Sequence, residues 1–211
     1  VTADPDPTRR FALFMPTSCG PCRLGGYRVL LQALMERLGW QDRVRVLSPE
    51  DRDYFVGVGP GFSAYAVAAM TASSLLLEAL CDVRPVETRP GAAQAVFERY
   101  QAELLRRVER GAGGPRAPGR GVVEVLSGRV FGIRDLLRRA GRAFASVRGP
   151  GDLPVVRFVG EIYVRCDPFA NDFLVDRLEQ CGLRVRLAPF VEWIEYTAWT
   201  QRKRLLEGRP L

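Results

Sequence analysis

The residues best equipped for chemistry stand close to the start of the chain, in Ser18-Cys19-Gly20-Pro21-Cys22-Arg23. Two thiols separated by two residues, between a strand-forming run and a helix-forming run, lie at a helix entrance. There the positive end of the helix dipole favours thiolate, the form that acts as nucleophile or metal ligand. Arg23 adds a cation beside them. Three chemistries use such a pair. A thioredoxin-like disulfide site has Cys-Gly-Pro-Cys after a strand, but here Ser18 replaces the customary Trp, and Gly25-Gly26 weakens the helix that should follow. A four-cysteine zinc site needs a second Cys-x-x-Cys, and the sequence has none. An iron-sulfur cluster commonly takes four thiolates; Cys19 and Cys22 would supply two, with Cys81, Cys166 or Cys181 or an outside ligand completing the set. The plain alternative is a pair of structural thiols buried at a tight turn.

A second group of polar residues follows the run Val155, Val156, Phe158, Val159, which reads as a buried strand between Pro154 and Gly160. From Phe169 apolar residues recur at helical spacing, with Pro168 in the first turn and Gly182 as the stop. The strand Arg184 to Leu187 then returns parallel to the first, making a β-α-β unit. Ligands of open α/β sheets sit beyond the C-terminal strand ends. Gly160, Glu161, Tyr163, Arg165, Asp167 and Asn171 are therefore the candidate ligand-facing residues, with Arg165 the best placed by chemistry to grip a phosphate or carboxylate. The competing reading is a polar crossover loop that only caps a helix.

The elements that would carry these residues form two such units around a helical middle, an α/β fold of flavodoxin- or Rossmann-like type with parallel sheets. Residues 1–10 read as an extended tail. Residues 11–148 form an α/β unit: a strand Phe11 to Met15, a helix Tyr27 to Leu38 with Val29, Leu30, Ala33, Leu34 and Leu38 on one face, and a strand Val44 to Leu47. The helical insertion follows as Ala64 to Cys81, Gln94 to Arg110 and Ile133 to Val147, with a Gly-Pro-Arg loop at 111–121. Gly149-Pro150-Gly151 marks the internal boundary, and residues 149–211 form the second β-α-β unit with a C-terminal helix.

Composition narrows the function. The 211 residues contain no histidine, so imidazole bases and histidine metal ligands are excluded. Five scattered cysteines and no signal peptide point to a reducing cytoplasm. Ala64 to Cys81 is rich in Ala, Ser and Thr and contains Glu78, which fits a buried helix rather than a membrane span. The net charge of +7 comes almost entirely from arginine, Lys203 being the single lysine. From Arg99 to Arg148 twelve arginines face four acids. Aromatics are not interleaved with them as stacking platforms, so a solvated face or a phosphate-bearing ligand is expected before nucleic acid. Val1 in place of Met suggests a processed chain or a piece of a longer one.

Cys19-Gly20-Pro21-Cys22-Arg23 with Gly25 and Tyr27, Arg84-Pro85-Val86-Glu87, Gly160-Glu161-Ile162-Tyr163-Val164-Arg165, Asp167-Pro168-Phe169-Ala170-Asn171 and Glu192-Trp193-Ile194-Glu195-Tyr196 together resemble the 2-hydroxyacyl-CoA dehydratase D-component and CoA-substrate-specific enzyme activase-associated family. The resemblance runs from about Phe11 to Tyr196 and is nearest to an uncharacterised branch. It implies flavodoxin-like modules and a cysteine-bound four-iron four-sulfur cluster. An ATP-hydrolysing activator would deliver the electron, and an acyl-CoA thioester would receive it. On that basis Cys19 and Cys22 are expected cluster ligands, with Cys81 or Cys166 as further candidates. Arg23, Glu161, Tyr163, Arg165 and Asn171 are expected to meet substrate or partner. Val86 stands where relatives often have Tyr, and Gly26 where they often have Gln. There is no actin-like ATPase phosphate motif, so ATP hydrolysis is not expected of this chain. A thiol-disulfide oxidoreductase and a non-catalytic scaffold domain remain the alternative readings.

Overall fold

The computed structural model describes residues 6, 8–17, 22–49, 60–112, 123–124 and 126–208. The fold is α/β, mostly helical, with two small parallel sheets of two strands each. It divides into two units, residues 1–57 and 58–211.

In the first unit, β1 (Phe11–Phe14) and β2 (Val44–Leu47) pair in parallel from Phe11↔Val44 to Phe14↔Leu47. The crossover between them is α1 (Leu24–Arg37). It begins three residues before the expected start, with Gly25 and Gly26 inside its first turn. Its end is closed by Gly39, at φ 67°, where the Gly39 N–H reaches Glu36 O at 3.0 Å and the Trp40 N–H reaches Met35 O at 2.8 Å. This reciprocal pair is the glycine-closed helix terminus, and it satisfies carbonyls that the last turn would leave bare. The expected apolar face is not the packed one. Val29, Leu30, Leu34 and Leu38 are exposed, whereas Leu24, Tyr27 and Leu31 are half-buried and Met35 is buried. The helix carries two apolar stripes, and the one spaced 24, 27, 31, 35 turns inward.

The second unit is built on a three-helix layer. α2 (Pro60–Val83), α3 (Ala92–Ala112) and α4 (Ile133–Val147) pack on one another around Leu76, Leu80, Tyr100, Leu104, Leu136 and Phe144. Ile133, Leu136, Ala140 and Phe144 recur at three- and four-residue steps, which puts them on one stripe of α4. α2 is partly buried all round, because α3, α4 and β4 each take a side of it. By length and composition Ala64–Val86 would be long and apolar enough to cross a membrane; here it is the centre of the helical layer.

β3 (Val155–Phe158) and β4 (Arg184–Leu187) pair in parallel, Val155↔Arg184 to Phe158↔Leu187, as expected. Among the described residues their sheet has two strands, so β3 is not the buried strand its sequence suggests: Val155 and the following Val159 are exposed. The crossover also differs. A short helix α5 (Ile162–Cys166) comes first, and α6 (Leu174–Gln180) begins five residues after Phe169. Pro168 therefore opens no helix. Asp172 and Phe173, at φ 55° and 53°, break the helical backbone just before α6, while Asp167 Oδ1 accepts from Ala170 N at 2.9 Å and Asn171 Oδ1 from Leu174 N at 3.1 Å. Both carboxyl and amide offer the backbone a turn in place of the helix ladder. The last described helix is α7 (Val191–Leu206).

Ion pairs bind the helical layer to this last β-α-β unit. Arg84 holds Glu179 bidentately, at 2.7 and 3.0 Å, and reaches Asp176 at 3.2 Å. Asp82 receives both Arg148 and Arg184 at 3.3 Å, and Arg184 also pairs with Asp152. Residues 84–88 and 147–149 are clasped by backbone hydrogen bonds, Gly149 N to Val86 O at 2.6 Å and Thr88 N to Val147 O at 2.9 Å.

Candidate thiol site and crossover loop

Cys22 is an exposed free thiol two residues before α1, on the connection that leaves the C-terminal end of β1. Its carbonyl accepts the Gly25 N–H at 3.1 Å, which makes the turn into the helix. The next N–H, of Gly26, is taken by Arg23 O at 2.9 Å, and the Arg23 side chain does not cap the helix. Arg23 is exposed beside it. Cys19 lies outside the described residues.

The Gly160 to Asn171 loop belongs to the second unit and is held by its own side chains. Glu161 caps α5, its Oε2 accepting the Val164 N–H at 2.7 Å. Asn171 donates to the Val164 and Arg165 carbonyls at 3.0 and 3.3 Å, and thereby ties the end of α5 to the start of α6. Arg165 is turned inward and only 8% exposed; its guanidinium donates to Gly160 O at 2.7 Å and Pro189 O at 3.4 Å, which joins the ends of β3 and β4. Its Nε is buried without a hydrogen-bond partner. Tyr163 faces outward, and the neighbouring Asp167 carboxylate raises its phenol pKa. The loop that caps a helix is thus a physical fact for Glu161 and Asn171, and Tyr163 is the residue of the group most open to a ligand.

The other thiols differ sharply. Cys81 is buried on α2, and desolvation pushes its thiol pKa up to about 11 in spite of Arg84 nearby. Cys166 belongs to an exposed residue, yet partial desolvation of its thiol, offset in part by Arg165, also raises it. Among the described residues no three His, Cys, Asp or Glu side chains converge to hold a metal ion. The chemistry of the donors suits iron, since thiolates are the usual ligands. Their number does not complete a cluster: Cys22 is the exposed thiol of the described part of the first unit, and Cys19 would make two.

Two features of unit two were not read from the sequence. Arg84 and Glu179 lie 95 positions apart, and nothing local signals their pairing. A hollow between α2 and α4 flanked by Arg134 and Arg138 was likewise missed; the signal available was two arginines four apart on an amphipathic helix.

The fold and these two regions define an α/β protein with an exposed thiol at a helix entrance and a self-capped crossover loop. Compared with known protein families, characterised proteins and solved structures, the chain matches none.

Proposed function

We propose that the chain is an iron-sulfur electron-transfer or substrate-binding module related to the 2-hydroxyacyl-CoA dehydratase components. It would work in the cytoplasm with an ATP-dependent activator, or with other domains of a larger protein, in the radical dehydration or reduction of an acyl-CoA. The observation that carries this reading is the exposed Cys22 thiol at the entrance of α1, within a Cys19-Gly20-Pro21-Cys22 pair. A bound cluster would supply one-electron chemistry. Cys19 and Cys22 would hold it, with Arg23 beside them, and the remaining ligands would come from elsewhere. On the crossover loop, Tyr163 would meet substrate or partner, and Glu161, Arg165 and Asn171 would keep the loop in shape beneath it.

Anaerobic purification or reconstitution tests the proposal. The expected result is a brown protein with stoichiometric iron and sulfide and a broad visible absorbance, lost in Cys19→Ala and in Cys22→Ala. A colourless protein without iron after anaerobic reconstitution refutes it. A thiol-disulfide oxidoreductase is the second reading, favoured by the absence of further converging ligands among the described residues. Reduction of insulin disulfides, abolished by Cys22→Ser, would establish that reading instead.

A further inference from the structure

The hollow where α2 crosses the start of α4 has a volume of about 620 Å³, within the usual range for small-molecule sites. Ala68 and Leu137 give it an apolar lining above the buried Ala72 and Ile133, Val130 contributes from the turn before α4, and Arg134 and Arg138 stand beside it. Both arginines are exposed and one helical turn apart, so like charges share one face without relief. Neither has a carboxylate partner among the described residues; Arg134 only touches Gly128 O at 3.5 Å. The adjacent acids are already engaged, Glu124 by the Phe131 N–H at 3.0 Å and Asp135 by Arg139 at 3.1 Å. The contrast with Arg139 is informative, because that neighbour is neutralised by Glu103 and Asp135.

The turn bordering the hollow is strained. Val130 and Phe131 have φ of 47° and 56°, in the left-handed region that a β-branched or aromatic residue rarely enters, and Gly132 follows at 75°. Three contacts hold it there: the Glu124 carboxylate on Phe131 N, the Tyr65 ring against Phe131 with centroids 4.7 Å apart, and Arg107 donating to Gly132 O at 3.3 Å. The consequence is an apolar wall from Val130 next to two unneutralised guanidinium groups.

We propose that this hollow binds a small molecule with one oxyanion, a phosphate or carboxylate, at the end of an apolar body. The body lies against Ala68, Val130 and Leu137, and Arg134 and Arg138 share the anion, as guanidinium forks do. This assignment stands independently of the thiol site.

Isothermal titration of the full chain tests it, with octyl phosphate, octanoate, octanol and inorganic phosphate as probes. Octyl phosphate or octanoate binds at least about tenfold more tightly than octanol or inorganic phosphate, and whichever of the two is tighter identifies the oxyanion. The exposed changes Arg134→Gln and Arg138→Gln together weaken that binding at least tenfold, and Ala68→Leu, at a lining position, weakens it by filling the space. Circular dichroism reports whether each variant is folded; because the glutamine changes lie on the surface, they test the site even if Ala68→Leu unfolds the chain. Equal binding by the glutamine variant, equal binding of inorganic phosphate, or no binding of either amphiphile at millimolar concentration overturns the proposal.

Discussion

Glu103 shows how one carboxylate organises charge in an arginine-rich chain. It accepts from Arg139 at 2.6 Å and from Arg107 at 2.8 Å, and these hydrogen bonds, Arg139 first, hold its carboxyl at a pKa of about 2 against some desolvation. A folded-state pKa below the unfolded value of 4.5 means that the contribution is complete above about 4.5. It is lost as pH falls toward about 2. Glu103→Gln should lower stability at neutral pH by about 1 kcal/mol, the modest size expected of a partly exposed pair. It should also flatten the pH dependence below 4.5, and urea melts of both proteins at pH 7 and pH 3 measure the difference. A variant that loses as much stability on acidification as the parent would contradict the assignment.

At the scale of elements, the five-residue helix α5 is too short to persist on propensity and depends on its caps. Glu161→Ala should cost about 1 kcal/mol and speed hydrogen exchange at the Val164 amide, the group that Glu161 holds. Glu161→Gln keeps an acceptor and should retain most of the protection; unchanged exchange in the alanine variant would remove Glu161 from this role.

The same scale shows what the sequence made legible. The four strands and α4 were readable because short apolar runs end one or two residues before Pro16, Pro49, Gly160 and Pro189, and because one strong apolar stripe runs from Ile133 to Val147. The parallel return of both β-α-β units followed from helix length and the closing glycines Gly39 and Gly182. The inward face of α1 was misread, since two apolar stripes compete there and only packing chooses. The start of α6 was misplaced because Asp172 and Phe173 take left-handed backbone conformations that apolar spacing does not announce. Cys22 could be placed at a helix entrance from spacing alone. Arg165 could not be placed, because its acceptors, Gly160 and Pro189, are brought together only by the pairing of β3 with β4. Expectations for Cys19, for residues 1–5 and 7 of the tail and for the Gly-Pro-Arg loop from 113 onward lie outside the described residues.

For the second unit as a whole, cohesion depends on the clasp between residues 84–88 and 147–149 as well as on the apolar layer. A Cβ on Gly149 would lie 2.7 Å from Val86 O, so the backbone must part to admit it. Gly149→Ala should destabilise by about 1–3 kcal/mol, seen as a lower urea midpoint. Gly141→Ala is the control: it meets nothing within 4 Å in a helix interior, and it should be neutral or stabilising by up to about 1 kcal/mol. Equal behaviour of the two variants would show that the clasp carries no stability.

The burial of Cys81 gives the protein a gauge of its own integrity. A sulfur that keeps its proton at neutral pH and touches no solvent is silent toward alkylating reagents until the surrounding helices part. Its labelling rate therefore counts openings of the helical layer, while Cys22 at the surface reacts without waiting for them.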